Sequence, residues 1–191
     1  MSTQVPVRYR EETDISRLTG KKLCDVATDV RKLHSKYTRH PHEGDVSRVL
    51  CGYLTGRFRK IPTREYPQNY VNHKGDQIQG QIDFLLGSKS AGTFIELAIL
   101  REGDQWSFKP KYSSDLWKLE RSGGIQSKRV HLIIDFRHNK HLTKDAMVKV
   151  YREGWRTTRG KYKRHHVTIV YASASDTFTF SLKPKKKRPR S

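Results

Sequence analysis

The stretch RVHLIIDF at residues 129–136 constrains the fold more than any other part of the chain. It is an apolar run of the length of one strand, and such a run is typical of a strand that is buried on both faces. Helical patterns stand before and after it along the chain, in SSDLWKLERSGG and in KDAMVKVYREGWRTT. This arrangement predicts a sheet that helices cover.

The remaining patterns complete an α/β domain. Two amphipathic helices are predicted in KKLCDVATDVRKLHSKY and EGDVSRVLCGYLTGRF. Strands are predicted in PTREYP, DQIQGQIDFLL and TFIELAIL, and the turn GSKSAG joins the last two into a hairpin. HHVTIVYA and TFTFSL are predicted as closing strands. The order α–α–β–β–β–α–β–α–β–β therefore predicts an α/β fold with a central mixed sheet flanked by helices.

The 191 residues are enough for one domain with short extensions. We predict an N-terminal extension over residues 1–20, a folded domain over 21–182 and a disordered basic tail over 183–191. Like charges and prolines oppose folding in that tail. The net charge of the chain is +20, which favours a polyanionic partner because Lys and Arg release counterions from phosphates. Charge alone does not choose between DNA, RNA and an anionic membrane surface.

Membrane and export signals are missing from this sequence. The start, MSTQVPVRYREETD, has no apolar core of a signal peptide, and no apolar run approaches a membrane span. We expect a soluble, intracellular protein with no membrane partner, in the cytoplasm or nucleoid of a prokaryote or in the nucleus of a eukaryote. The basic tail resembles a nuclear localisation signal, and a phosphate-grasping arm explains the same residues.

Two acidic residues, Asp83 and Glu96, stand inside the apolar runs of the predicted hairpin. Carboxylates are costly among buried strand residues unless something nearby needs their charge. Since residues two apart on a strand share a face, Gln81 accompanies Asp83 and Ala98 accompanies Glu96. If the arms pair around the turn, the two carboxylates converge, and a hard divalent cation would relieve their repulsion. The plainer interpretation is that both carboxylates face solvent.

The ordered segments from about residue 43 to residue 136 resemble the PD-(D/E)XK, or restriction-endonuclease-like, nuclease superfamily. HEGDVSRVLCGYL resembles the first core helix of that family, REYPQNYVNHKGDQIQGQIDFLL its first two strands and TFIELAIL its third strand. The resemblance implies a restriction-endonuclease-like core and a DNA endonuclease that uses Mg²⁺ or Mn²⁺. It also implies that Glu43, Asp83 and Glu96 hold the metal ion and its water.

The sequence departs from the family pattern at Ala98, where the family has a lysine that orients the attacking water. An alanine methyl group cannot stabilise negative charge. Lys118 on the next predicted helix is one candidate substitute, and Lys109 and Lys111 in the connecting segment are others. Gln81 could orient a water without supplying charge. Each lysine taken alone is also explained as a solvated or phosphate-contacting residue.

Basic residues interleaved with aromatic ones predict a nucleic-acid-binding rim in the last third of the chain. They are Arg152, Arg156, Arg159, Lys161, Lys163 and Arg164, with Lys185, Lys186 and Lys187 in the tail. The expected partner is DNA in duplex form. A homodimer is a geometric expectation, because cutting both strands generally takes two sites. Two alternatives stay open: an inactive DNA-binding module on the same fold, and a basic protein that associates with RNA or the ribosome.

Overall fold

The computed structural model describes residues 19–37, 41–71, 76–104, 110–138, 142–157 and 165–183. The helices within these ranges are α1 (Gly20–Tyr37), α2 (Glu43–Phe58), α3 (Pro110–Arg121) and α4 (Lys144–Thr157). The strands are β1 (Thr63–Pro67), β2 (Tyr70–Val71), β3 (Gln77–Ile78), β4 (Gln81–Leu86), β5 (Thr93–Leu100), β6 (Lys128–Asp135), β7 (Val167–Ala172) and β8 (Thr177–Leu182). Among the described helices, none has the length and apolar character that a membrane span requires.

A six-stranded mixed sheet forms the centre of the domain, in the order β1-β4-β5-β6-β7-β8. The three middle strands, β5, β6 and β7, run parallel to their neighbours within this trio. The outer pairings β1–β4, β4–β5 and β7–β8 are antiparallel. The predicted α/β class with a central mixed sheet flanked by helices is confirmed.

Helices cover both faces of the sheet, and each face has its own apolar core. The first core joins α1 and α2 to one face through residues such as Val30, Leu50, Ile95 and Leu132. The second core joins α3 and α4 to the other face through residues such as Phe94, Leu116, Ile133 and Met147. Both faces of the middle strands are therefore buried, which explains why these strands are apolar along most of their length.

Most predicted elements are confirmed, but the single strand predicted over DQIQGQIDFLL is wrong. The chain breaks there into β3 and β4, and β3 pairs with β2 in a separate two-stranded sheet. The break lies at Gly80, whose carbonyl accepts a hydrogen bond of 2.8 Å from the N–H of Gln68. A Cβ at Gly80 would lie 2.8 Å from the ring of Tyr70. Two segments of the backbone approach closely at this glycine, and the regular strand ends there.

Helix α3 begins at Pro110, before the predicted serine start at residue 113. Proline suits the first turn of a helix because its missing N–H would have no partner there in any case. Lys111, which was assigned to a connecting segment, therefore lies in the first turn of α3. Residues 1–18 and 184–191 lie outside the described residues, so the predicted extension and tail stay predictions.

A buried ionic cluster closes the carboxyl end of β6. Asp135, which is 0% exposed, accepts hydrogen bonds from Arg137 Nε at 2.9 Å and Nη2 at 2.6 Å. The hydroxyl of Tyr171 donates to the same carboxylate at 2.7 Å, and Arg31 Nε donates to the Asp135 carbonyl at 2.7 Å. Each charge in this cluster has a close partner, so the cluster is a structural one that joins β6, β7 and α1.

Candidate active site

The two carboxylates of the hairpin meet where β4 and β5 pair. These strands pair through Phe84–Ile95, Leu85–Phe94 and Leu86–Thr93. Asp83 comes next on β4, and its Oδ2 accepts a hydrogen bond of 2.6 Å from the backbone N–H of Leu97. The two carboxyl groups also act on each other, since the charge of Asp83 raises the pKa of Glu96. The predicted convergence of Asp83 and Glu96 is therefore present.

Lys118 reaches this pair of carboxyl groups from α3. Its Nζ lies 2.8 Å from Oε1 of Glu96, which is 2% exposed, and 3.3 Å from Oδ1 of Asp115. The same Nζ donates a hydrogen bond of 3.0 Å to the backbone carbonyl of Gln81. The ammonium therefore donates to one backbone carbonyl and forms ion pairs with two carboxyl groups. Lys118 is thus held as a fixed positive charge beside the two carboxyl groups.

Among the described residues, the carboxyl groups of this cluster outnumber its ammonium group. Asp83, Glu96 and Asp115 place three carboxyl groups around the ammonium of Lys118. Burial raises the pKa of Glu96 well above its usual range, and the charges of Asp83 and Asp115 raise it further. Burial also raises the pKa of Asp83, although the Leu97 hydrogen bond and Lys118 partly offset this rise. The cluster therefore favours an additional positive charge, which either a proton or a cation can supply.

The nearby carboxyl groups also change the pKa of Lys118. Burial by itself lowers the pKa of an ammonium, but the nearby carboxylates of Glu96, Asp115 and Asp83 outweigh burial and raise the pKa of Lys118. Lys118 is therefore protonated throughout the neutral pH range. It can stabilise developing negative charge, whereas it cannot serve as a base at neutral pH.

Two further residues, which the sequence patterns did not indicate, extend the cluster toward α4. His131 is buried, and its Nε2 lies 3.9 Å from Oδ2 of Asp115. Its Nδ1 lies 3.1 Å from the hydroxyl of Tyr151 on α4. The spacing of Asp115 and Lys118, three residues apart on one helix, is a signal that could have identified Asp115. His131 is found only through the register of the sheet, which pairs it with Glu96.

The structure also describes three more residues that the nuclease hypothesis names. Ala98 is buried in the apolar core beneath α3 and α4, so its methyl group packs and supplies no polar atom to the cluster. Gln81 contributes its backbone carbonyl to Lys118 while its side chain is exposed. Glu43 is the first residue of α2, and its negative charge adds to the raised pKa of Asp83.

The described part of the chain tests few of the other predicted site residues. The side chains of Lys111 and Arg156 lie outside the described residues, although both positions are helical. Arg152 is exposed on α4, directly after the buried Tyr151. Several further positions lie outside the described residues altogether: Lys109, Arg159, Lys161, Lys163, Arg164, Lys185, Lys186 and Lys187. The basic rim is therefore described at Arg152 alone among the residues named for it.

Asp83 and Glu96 are the two predicted metal ligands that the hairpin brings together. Within the described residues, no group of three His, Cys, Asp or Glu side chains is arranged to hold a metal ion. This absence does not support a metal site formed by the carboxylates of Glu43, Asp83 and Glu96 together. Asp83 and Glu96 still present adjoining carboxyl groups in a cluster whose described carboxyl groups outnumber its ammonium group. Mg²⁺ commonly uses one or two protein carboxylates together with waters and substrate phosphates, and these two residues meet that requirement.

The raised pKa of Glu96 predicts a gain in stability when this residue is made neutral. Between its usual pKa and its raised one, the folded state binds a proton that the unfolded state releases, so stability falls as pH rises. The Glu96→Gln variant has no titrating group at this position, so it does not lose stability in this way as pH rises. We expect it to unfold with a free energy on the order of 1 kcal/mol higher than wild type at pH 8. Urea unfolding of both proteins measures the difference.

The pH dependence of that difference provides the control. At about pH 4, near the ordinary glutamate pKa, the carboxyl group is largely protonated in both states and the gain should shrink. Asp29→Asn, on the exposed surface of α1, should change stability by less than about 0.5 kcal/mol at either pH. A Glu96→Gln variant that is less stable than wild type at pH 8 would contradict the burial argument.

Comparison of the chain with protein-family models, with curated proteins and with solved structures finds no match.

Proposed function

We propose that this protein is a divalent-metal-dependent endonuclease that hydrolyses phosphodiester bonds in duplex DNA, on a restriction-endonuclease-like core. The observation that carries the proposal is the position of Lys118. Its Nζ lies 2.8 Å from Glu96 Oε1, and its positive charge also acts on Asp83. An ammonium from α3 thereby stands beside the two carboxyl groups, in place of the one that a lysine at position 98 would supply.

The order of elements supports the same proposal. Helix α2, strands β1, β4 and β5, helix α3 and strand β6 follow one another along the chain. This is the order that the resemblance to the PD-(D/E)XK superfamily implies, with the small β2–β3 sheet inserted between the first two strands. The acidic residues fall on the second and third strands of that order, at Asp83 and Glu96.

The reaction adds water across a P–O bond: the water oxygen bonds to phosphorus, the bond to one sugar oxygen breaks, and that oxygen takes a proton. Asp83 and Glu96 would hold the Mg²⁺ or Mn²⁺ ion, which activates water and offsets charge on the phosphate. Lys118 would stabilise the negative charge that develops on the phosphate oxygens. To donate to such an oxygen, Lys118 would give up one of its present contacts with Gln81 O, Glu96 and Asp115.

The cluster lies on the face of the sheet that α3 and α4 cover. Glu96 and His131 point toward α3 and α4, since their partners are Lys118, Asp115 and Tyr151. Arg152 follows Tyr151 on α4 and is exposed. The net charge of +20 supplies general attraction for a polyanion. These features support a polyanionic substrate, and the resemblance to the PD-(D/E)XK superfamily favours DNA.

Incubation of supercoiled plasmid with the full-length protein tests the proposal. We expect nicked or linear products with Mg²⁺ or Mn²⁺, and intact plasmid when a chelator is added. Binding of a labelled duplex, measured by fluorescence anisotropy, should persist in chelator and weaken steeply as salt increases. Plasmid, linear duplex and single strands that all stay intact with both metals would contradict the enzymatic proposal. A preference for RNA over duplex DNA at equal salt would contradict the choice of substrate.

A second function is favoured by the contacts of Lys118. Because its ammonium donates to Gln81 O and pairs with the carboxyl groups of Glu96 and Asp115, Lys118 also fits a structural role that neutralises buried acids. The protein would then be an inactive DNA-binding module on the same fold. That function predicts salt-sensitive DNA binding without cleavage in Mg²⁺ or Mn²⁺, so the plasmid assay separates it from the endonuclease.

A further inference from the structure

A cavity of about 570 Å³ lies at the edge of the sheet where the parallel strands begin. Thr93 of β5, Lys128 of β6 and Thr168 of β7 line it, together with the first turn of α1. Leu23 and Val130, which belong to the core beneath α1 and α2, form its apolar floor. The cavity is thus separate from the Glu96–Lys118 cluster, which faces α3.

The charged and titratable side chains around this cavity are basic. Lys128, Arg129, His165 and His166 line it, and none of the described lining residues is acidic. Helix α1 begins here at Gly20 without an acidic residue in its first turn. The amino end of an 18-residue helix carries a partial positive charge, so the helix adds to the positive potential of the cavity.

Arg129 is an unusual member of this lining because it is buried and has no acidic partner among the described residues. It is 4% exposed, and its guanidinium donates to the carbonyls of Ser122, Ser127 and Gly124 at 2.8, 2.7 and 2.7 Å. Burial lowers the pKa of Arg129 to about 10, so it keeps its charge at neutral pH. The guanidinium thus adds positive charge at this edge of the sheet, and no carboxylate among the described residues neutralises it.

Thr93 provides an independent indication of a ligand. It is 1% exposed and lines the cavity. Its hydroxyl oxygen has no hydrogen-bond partner among the described residues. Buried hydroxyls are nearly always satisfied by protein or water, and one that is not costs about 1–3 kcal/mol. A phosphate oxygen at the wall of the cavity would accept the hydrogen bond that this hydroxyl can donate.

We propose that this cavity binds the phosphate group of a small phosphate-bearing molecule. Its volume lies within the range of about 300–1,000 Å³ that small-molecule sites occupy. Ile125, a cavity-lining residue that is 92% exposed, gives the rim an apolar surface, which suits a ligand that carries a ring beside its phosphate. Inorganic phosphate and a nucleotide offer the same phosphate chemistry. This site does not depend on the proposed nuclease activity.

Isothermal titration of the full-length protein with three probes tests this site: inorganic phosphate, adenosine monophosphate and adenosine. We expect saturable binding of the phosphate-bearing probes and none of adenosine. Thr93→Val removes the hydroxyl with little change in shape, and Lys128→Gln removes a charge. Each change should weaken binding about tenfold, the effect of losing one charge-assisted hydrogen bond. Lys144→Gln, on the exposed surface of α4, should leave the affinity unchanged.

The probes also separate the two sources of phosphate. Tighter binding of the nucleotide than of inorganic phosphate would support the site and would indicate that the nucleoside binds at the apolar rim. Adenosine that binds as well as the nucleotide would overturn the proposal, as would equal affinities in wild type, Thr93→Val and Lys128→Gln. A 5′-phosphorylated oligonucleotide that binds here while both small probes fail would also overturn it. Thermal melting of each variant shows whether it is folded.

Discussion

The Lys118→Met variant is expected to cleave plasmid DNA at least about a hundredfold more slowly than the wild-type protein. Methionine keeps much of the length of the side chain and removes its charge. The proposed reaction places negative charge on phosphate beside Glu96, and Lys118 Nζ is 2.8 Å from that residue. The initial rate of loss of supercoiled plasmid in Mg²⁺, at equal protein concentration, measures the effect.

Two other lysines serve as controls for this result. Lys111→Met tests the alternative lysine of the hypothesis, and we expect it to retain cleavage. Lys144→Met changes an exposed lysine of α4 and should also cut normally. Lys118→Arg keeps a positive charge and should retain more activity than Lys118→Met. Loss of cleavage in Lys111→Met with normal cleavage in Lys118→Met would assign the ammonium to Lys111.

The carboxylates of the same site give a matched pair of variants. Asp83→Ala and Glu96→Ala should each abolish metal-dependent cleavage while duplex binding, measured by anisotropy, stays within about twofold of wild type. The distinction arises because the proposed metal ligands act on the reacting phosphate, whereas general charge attraction holds the duplex. Unchanged cleavage in both variants would end the enzymatic proposal. Loss of DNA binding together with cleavage would point to a structural effect.

Asp135→Ala is expected to lower the free energy of unfolding by about 3–5 kcal/mol. The substitution leaves the guanidinium of Arg137 buried without the carboxylate that accepts its two hydrogen bonds, at 2.9 and 2.6 Å. The hydroxyl of Tyr171 loses its acceptor as well. Urea-induced unfolding, followed by circular dichroism at neutral pH, measures the change.

A double variant tests whether the unpaired charge of Arg137 causes the fall in the free energy of unfolding. Asp135→Ala with Arg137→Met removes both charges, and we expect it to be more stable than Asp135→Ala alone, since an unpaired buried charge costs more than an apolar replacement. Asp29→Ala removes an exposed carboxylate of α1 and should change stability by less than about 0.5 kcal/mol. A double variant as unstable as the single one would show that packing around Asp135 causes the loss.

Elements that repeat a local pattern were predictable from the sequence. The helices at Glu43–Phe58 and Lys144–Thr157 and the strands at Thr93–Leu100 and Thr177–Leu182 lie within one residue of their predicted bounds. Each carries enough periodic or continuous apolar residues to identify its type. The break between β3 and β4 was not predictable in this way, because it depends on the close approach of the chain at Gly80 and Tyr70.

Within the candidate site, the sequence by itself determined the meeting of Asp83 and Glu96. A short turn joins their strands, so pairing follows from local geometry and alternation. It left open which lysine would approach them, and it did not indicate Asp115 and His131 as neighbours. Those contacts depend on how α3 packs across the sheet and on the register between β5 and β6. Local periodicity reports which face of an element is buried, whereas only tertiary packing decides which buried faces share one space.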